Sequence, residues 1–355
     1  MYETWLNPFL NSCSNNRKSK TCTEPRRSIQ NLKLVGVTTL VIAFGMYRAV
    51  GAQSSKIPRI GYLSALSVSA ESSRLDGFRQ ALRDLGYIEG KNIIIEYRFA
   101  EGKFDRLPEL AAELVRLKYD LIVTTGPTST RAAKEATITI PIVMAFDNDP
   151  VGNRFVTSLA HPGGNITGLS TYYPEISGKQ LELLKEIVPR LSRVAVLGNS
   201  AIPGNAQALR EMKQAAAAFG IHIQYLEVRD LKDIESAFQE TRKSRADGIL
   251  VVTSPVTNSH RSQIIDLALK NRLAAIYYTA EWVEAGGLLT YGANLIDLWR
   301  RAATYVDKIL KGAKPTELPV EQPTKFELII NLKTAKQIGL TIPPNVLARA
   351  NRVIK

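Results

Sequence analysis

Residues 121–136, LIVTTGPTSTRAAKEA, start as a β-branched apolar run and end as an Ala-rich amphipathic segment. Between the two lie Thr124, Thr125, Gly126, Pro127, Thr128, Ser129 and Thr130, nearly all hydroxyl-bearing or backbone-permissive. The pattern reads as a strand handing over to a helix through a tight turn. Pro127 suits the first helical turn, because the N–H it lacks would have had no intrahelical partner. In an open α/β sheet such a turn sits at the carboxyl end of its strand, the edge at which these sheets bind ligands.

The same alternation extends on both sides. PRIGYL (58–63) precedes an amphipathic stretch ending at Leu85-Gly86, NIIIEYRF (92–99) precedes another from Arg106 to Lys118, and IPIVMAF (140–146) follows the opening stretch. Val- and Ile-rich strands separated by helical segments predict right-handed βαβ units and a parallel sheet. After a break at HPGGNITG (161–168), a turn that needs glycine freedom, a second series begins. Its strands are SRVAVLGN, IHIQYLEV, DGILVVT and AAIYYT, and its helices are expected at 206–219, 231–242 and 262–271. The tail does not simply extend either series: GGLLTYG (286–292), a helix from Leu295 to Lys311, a Pro-rich passage (314–323) and a strand-like FELIINL (326–332). A chain that returns to the first half and then crosses again accounts for it, and two halves with several crossovers make a hinge.

Four blocks then resemble a known family. DPVGNRFVTSLAHPGGNITGLS (149–170), SGKQLELLKEIVP (177–189), AGGLLTYG (285–292) and ILKGAKPTELPVEQPTKFELIINLKTAKQIGLTIPP (309–344) are similar to ABC-transporter substrate-binding proteins of the tryptophan/tyrosine-binding type. The likeness runs from about Ile57 to the end. It implies a type I periplasmic binding-protein fold, with two doubly wound parallel-sheet lobes joined by a three-crossover hinge. The expected first lobe is 57–170 plus about 288–312, and the second is 172–285 plus about 320–355. The resemblance also implies capture of a small solute between the lobes and its delivery to a membrane permease driven by a separate ATPase. Aromatic amino acids are the first expected solutes, followed by other small amino-acid-like or heterocyclic compounds. The protein is expected to act as a monomer without a cofactor.

Candidate ligand residues follow from the strand ends. Thr125, Gly126, Thr128 and Ser129 would offer hydroxyls and the free amides of a helix start to an anion; the plainer role is helix capping. Ser64 lies at the equivalent edge of the first strand. Asp147, after PIVMAF, would pair a ligand ammonium. The second lobe offers Asn199, Thr253 and Ser254 just past strands, and Tyr277, Tyr278 and Glu281 after the AAI strand. Tyr172 and Tyr291 lie at expected crossovers, where rings stack on a ligand face. His161, His222 and His260 have no metal-ligand spacing.

The first fifty-odd residues differ from the rest. Arg26, Arg27 and Lys33 precede an apolar run from Leu34 to Tyr47, then Ala49-Val50-Gly51-Ala52, which reads as a secretory signal with cleavage after Ala52 and a periplasmic product. An uncleaved N-terminal anchor is the alternative, although a run of about 14 residues is short for a bilayer span of about 20. Cys13 and Cys22 both precede the cleavage site. The 355-residue chain is 45% hydrophobic and 22% charged, as soluble globular proteins are. Of its 46 basic and 33 acidic residues, seven and two lie in this leader, leaving a dispersed +8 with no basic run of nucleic-acid type. No G-x-S-x-G, P-loop, G-x-G-x-x-G after the first strand or zincin helix is present, so no enzyme class is indicated. A ligand sensor of the same fold, presenting its solute to a membrane receptor, is the alternative function.

Overall fold

The structure, a computed structural model, describes residues 56–355 except Tyr172. The expected leader, its cleavage after Ala52, both cysteines and the Tyr172 ligand contact therefore lie outside the described residues.

In the first lobe, β1 (Arg59–Ser64), α1 (Val68–Asp84), β2 (Ile94–Phe99), α2 (Leu107–Arg116), β3 (Leu121–Thr125), α3 (Pro127–Ala136), β4 (Ile142–Phe146) and β5 (Ile166–Gly168) follow one another. The sheet order is β2-β1-β3-β4-β5, with every pairing parallel. The β-branched runs are buried on both faces, as parallel sheets require. One face packs on Leu75, Phe78 and Trp299, the other on Leu110, Leu114 and Ala133. β5 falls inside the segment read as a break. Three residues are too few to show a period, and Gly168 marks it instead: its φ is +132°, and a Cβ there would lie 2.2 Å from the Met144 carbonyl oxygen.

The second lobe contains α4 (Tyr173–Ile187), β6 (Arg193–Gly198), α5 (Pro203–Phe219), β7 (His222–Glu227), α6 (Leu231–Lys243), β8 (Gly248–Val251), α7 (Pro255–Ser259), α8 (Arg261–Lys270), β9 (Ala274–Tyr277), α9 (Ala280–Glu284) and β10 (Leu289–Ala293). The chain then returns through α10 (Leu295–Leu310) and ends with β11 (Phe326–Asn331), α11 (Leu332–Gln337), α12 (Pro344–Leu347) and β12 (Arg352–Ile354). The sheet order is β12-β11-β10-β9-β8-β6-β7. It is not wholly parallel, because β11 runs antiparallel to β10. Nor does the return begin near 288: β10 is held between β9 and β11, so residues 289–293 belong to this second sheet. α10 then packs along α1, where a Cβ on Gly77 would sit 2.8 Å from Ile296 Cγ2. The final crossing comes just after 320, because the Glu321 N–H still donates to the Gly168 carbonyl of the first lobe (3.0 Å).

The three crossovers run side by side. Ser170 N–H donates to the Glu321 carbonyl (2.9 Å), and Asn294 N–H donates to the Lys325 carbonyl (3.0 Å). The connections between the lobes are therefore adjacent and bonded to one another. Among the described residues, no helix is long and apolar enough to cross a membrane.

Candidate functional site

A cavity of about 310 Å³ lies between the lobes. The first lobe contributes the residues that follow β1, β3 and β4, among them Leu66, Gly126, Thr128, Phe146 and Asn148. The second contributes those that follow β6, β8 and β9, among them Asn199, Ile202, Thr253, Ser254 and Tyr278. Thr171 comes from the first crossover and Ala293 from the end of β10. The parallel sheets place these turns on facing edges, which is why strand ends from two distant stretches of sequence meet.

The β3–α3 turn is built as the sequence indicated. Gly126 is the N-cap of α3 with φ +88° and no side-chain cap bond. A Cβ at this position would lie 3.0 Å from Phe146 Cζ, so glycine meets both the backbone and the packing requirement. Thr128, on the first turn, lines the cavity, and its amide and that of Ser129 have no carbonyl four residues back within α3. Ser129 does not reach the wall: its hydroxyl donates to the Thr125 carbonyl (3.2 Å). Short hydroxyl side chains at helix starts bond back to the local backbone in this way.

Thr125 lines the cavity, yet its hydroxyl donates elsewhere, to Glu71 Oε1 (2.8 Å). Ser64 lies behind the wall and donates to the same oxygen (2.8 Å). Tyr62 donates to Oε2 (2.9 Å) and itself accepts from Trp299 Nε1 (2.8 Å). Glu71 is thus a buried hub beneath the β3–α3 turn. Burial pushes its carboxyl up, and the Arg74 charge and the three hydroxyl bonds pull it only part of the way back.

Arg74, one turn further along α1, is 3% exposed and lines the cavity. Its Nε donates to Glu281 Oε1 across the cleft (2.7 Å), and its guanidinium stands 5.3 Å from the Trp299 ring centre. Burial pushes the Glu281 carboxyl up, but the charge and hydrogen bond of Arg74 outweigh it and hold the group at about 2. Glu281 therefore ties the lobes together and stands behind the cavity wall. The lobes also meet where Asn148 packs on the start of α5: a Cβ on Gly204 would lie 2.8 Å from Asn148 Nδ2.

The remaining expected residues divide. Asn199, Thr253, Ser254 and Tyr278 line the cavity. The Ser254 hydroxyl is engaged in a capping box with Thr257 at the start of α7, and the Asn199 Oδ1 accepts from Ala201 N–H (3.0 Å). Tyr277 points the other way and stacks on Trp282 (4.7 Å) in the core. Tyr291 stacks on Phe326 (6.1 Å) away from the wall. Asp147 also misses the wall: its Oδ1 accepts from Asp149 N–H (2.8 Å) and Asn153 Nδ2 (2.9 Å), organising its own loop. Burial pushes its carboxyl up to about 7.

Sequence reasoning passed over Arg74, Phe104, Phe146, Asn148 and Ile202. A signal for Arg74 exists, because it lies with Glu71 on the face of α1 that carries Leu75 and Phe78. Two charges within an apolar stripe call for a buried partner. Among the described residues, no group of three or more His, Cys, Asp or Glu is placed to hold a metal.

Known proteins share this architecture. The chain is 27% identical over 287 residues to a tyrosine-binding protein of Clostridioides difficile, covering 81% of this chain and 82% of the relative. It is 27% identical to a Streptococcus pneumoniae domain solved in complex with L-Trp, with a TM-score of 0.79 over 84% of this chain and all of that one. It is 25% identical to a Clostridium difficile substrate-binding protein solved in a ligand-free, open form, with a TM-score of 0.66 at the same coverage. Residues 59–354 match the model of one family throughout, and the chain thereby belongs to the ABC transporter substrate binding proteins.

Proposed function

We propose that the protein is the extracytoplasmic solute receptor of an ABC importer, binding an aromatic amino-acid-like compound between its lobes by hinge closure. The observation that carries this reading is the cavity at the facing carboxyl edges of two sheets, with apolar walls, the uncapped start of α3 and Arg74 as its one charged side chain among the described residues. Such a shape takes a solute with a flat apolar body and one anionic group. The relatives that bind tyrosine and L-Trp support the choice of solute. The higher TM-score with the L-Trp complex than with the open form, at nearly equal identity, supports an approach of the lobes like that of a loaded receptor. The loaded form would then present its exposed lobe faces, as a monomer, to a permease with a separate ATPase.

Closure is driven only by contacts that the solute makes better in the closed form than in the open one. Small-angle scattering is therefore expected to show a smaller radius of gyration with L-tryptophan or L-tyrosine than without. Gly204→Val puts two methyl groups where Asn148 of the opposite lobe packs, and it is expected to weaken solute binding roughly tenfold by opposing closure. Calorimetry measures that loss. Unchanged dimensions with both amino acids, together with wild-type affinity in Gly204→Val, would refute the closure mechanism.

A further inference from the structure

The charges around the cavity are one-sided. Among the described residues of its wall, Arg74 is the one charged side chain. No carboxylate lines the wall: Glu71 is committed to three hydroxyls, and Glu281 and Asp147, each with one oxygen bonded (to Arg74 and to its own loop) and the other buried without a partner among the described residues, stand behind it. Of the five N–H donors of the guanidinium, one is used, by Nε toward Glu281. The terminal nitrogens carry no protein acceptor among the described residues, although the side chain is only 4% exposed. A buried fork of donors without acceptors, opening on a cavity, matches the paired oxygens of a carboxylate. On the wall itself the acceptors offered to a ligand amine are neutral, among them the buried Asn148 Oδ1, which has no partner among the described residues.

We infer that Arg74 clamps the carboxylate of the solute through its two terminal nitrogens, and that the amino group of the solute is dispensable. The inference rests on the solute-receptor reading and narrows it: the ligands are apolar or aromatic monocarboxylic acids, with or without an α-amine. It also gives the closure a trigger. The guanidinium that holds the solute bonds across the cleft to Glu281, so an occupied fork fixes the side chain in the pose that joins the lobes.

The test is calorimetry on the full exported chain with three pairs of probes: L-tryptophan and L-tyrosine, the deaminated acids indole-3-propionate and 4-hydroxyphenylpropionate, and the decarboxylated amines tryptamine and tyramine. The deaminated acids are expected to bind within about tenfold of the amino acids, and the amines roughly 100-fold more weakly. This comparison needs no variant. The double variant Arg74→Met/Glu281→Gln, which removes both members of the cross-cleft ion pair and leaves Glu71 to its three hydroxyl donors, is expected to lose roughly 100-fold in affinity for the acids and none for the amines. Amines that bind as well as acids, or a folded double variant with wild-type affinity for indole-3-propionate, would overturn the role of Arg74 and leave the receptor reading intact. No binding by any of the six compounds would overturn both.

Discussion

Glu71→Ala is expected to lower the unfolding free energy by about 4 kcal/mol. The reason is what the carboxylate leaves behind. Tyr62, Ser64 and Thr125 each donate to it at 2.8–2.9 Å, and all three are buried. A buried donor without an acceptor costs about 1–3 kcal/mol, and a cavity the size of a glutamate head lets water restore only part of that. The effect spreads beyond one contact, because Tyr62 also accepts from Trp299 on α10. Glu71 thereby joins β1, β3 and α1 to the helix that returns from the second lobe. Glu71→Gln keeps an oxygen for Ser64 and Thr125 and is expected to cost about 1 kcal/mol. Urea denaturation monitored by circular dichroism measures both. An alanine variant no less stable than the glutamine variant would mean that the hub carries no stability.

The same hub marks the limit of what the sequence reveals. Strands β1 to β4 and β6 to β9 are legible because each is a β-branched run followed by a helical period, and tertiary context does not compete with that signal. β5 and β12, three residues each, carry no period, and only pairing partners define them. The site follows the same division. That the cleft is lined from strand ends is a rule of the architecture, and Thr125, Gly126, Thr128, Asn199, Thr253, Ser254 and Tyr278, named on that rule, do line the cavity. Which residue at each end faces the cleft depends on alternation, and there a shift of one position exchanges wall for core. Asp147 is buried in its loop while Phe146 and Asn148 face the cavity; Tyr277 is in the core while Tyr278 faces it; Ser64 lies behind Ala65 and Leu66. Arg74 comes from a helix rather than a strand end, so the rule had no means of finding it.

Asp147→Asn is expected to change the pH dependence of stability by about 4 kcal/mol. In the folded chain burial lifts the Asp147 carboxyl to about 7, from 3.8 in a free chain. Asn153 and the Asp149 amide favour its charge, Asp149's own charge opposes it, and Arg131 favours it again, but burial exceeds them all. Its Oδ2 is buried with no hydrogen-bond partner among the described residues, which makes the ionised form costly. The sign follows from proton binding. Between about pH 4 and pH 7 the folded chain holds a proton that the unfolded chain has released, so the stability from this group is complete below pH 4 and lost as pH rises through 7. A shift of about three units at 1.36 kcal/mol each sets the size. Glu281, held at about 2 by Arg74, acts in the opposite direction and at lower pH, where its stabilisation is lost as the medium falls below the free-chain value of 4.5. The two windows overlap only near pH 4, and Glu281 is unchanged in the variant, so the difference between Asp147→Asn and the parent isolates the first. Asparagine retains an acceptor for Asp149 N–H and Asn153, and the difference is expected to grow in favour of the variant from pH 4 to pH 8. Parallel profiles in urea denaturation would mean that the carboxylate is already ionised in the folded protein. Oδ2 would then need a cation or an ordered water beside it.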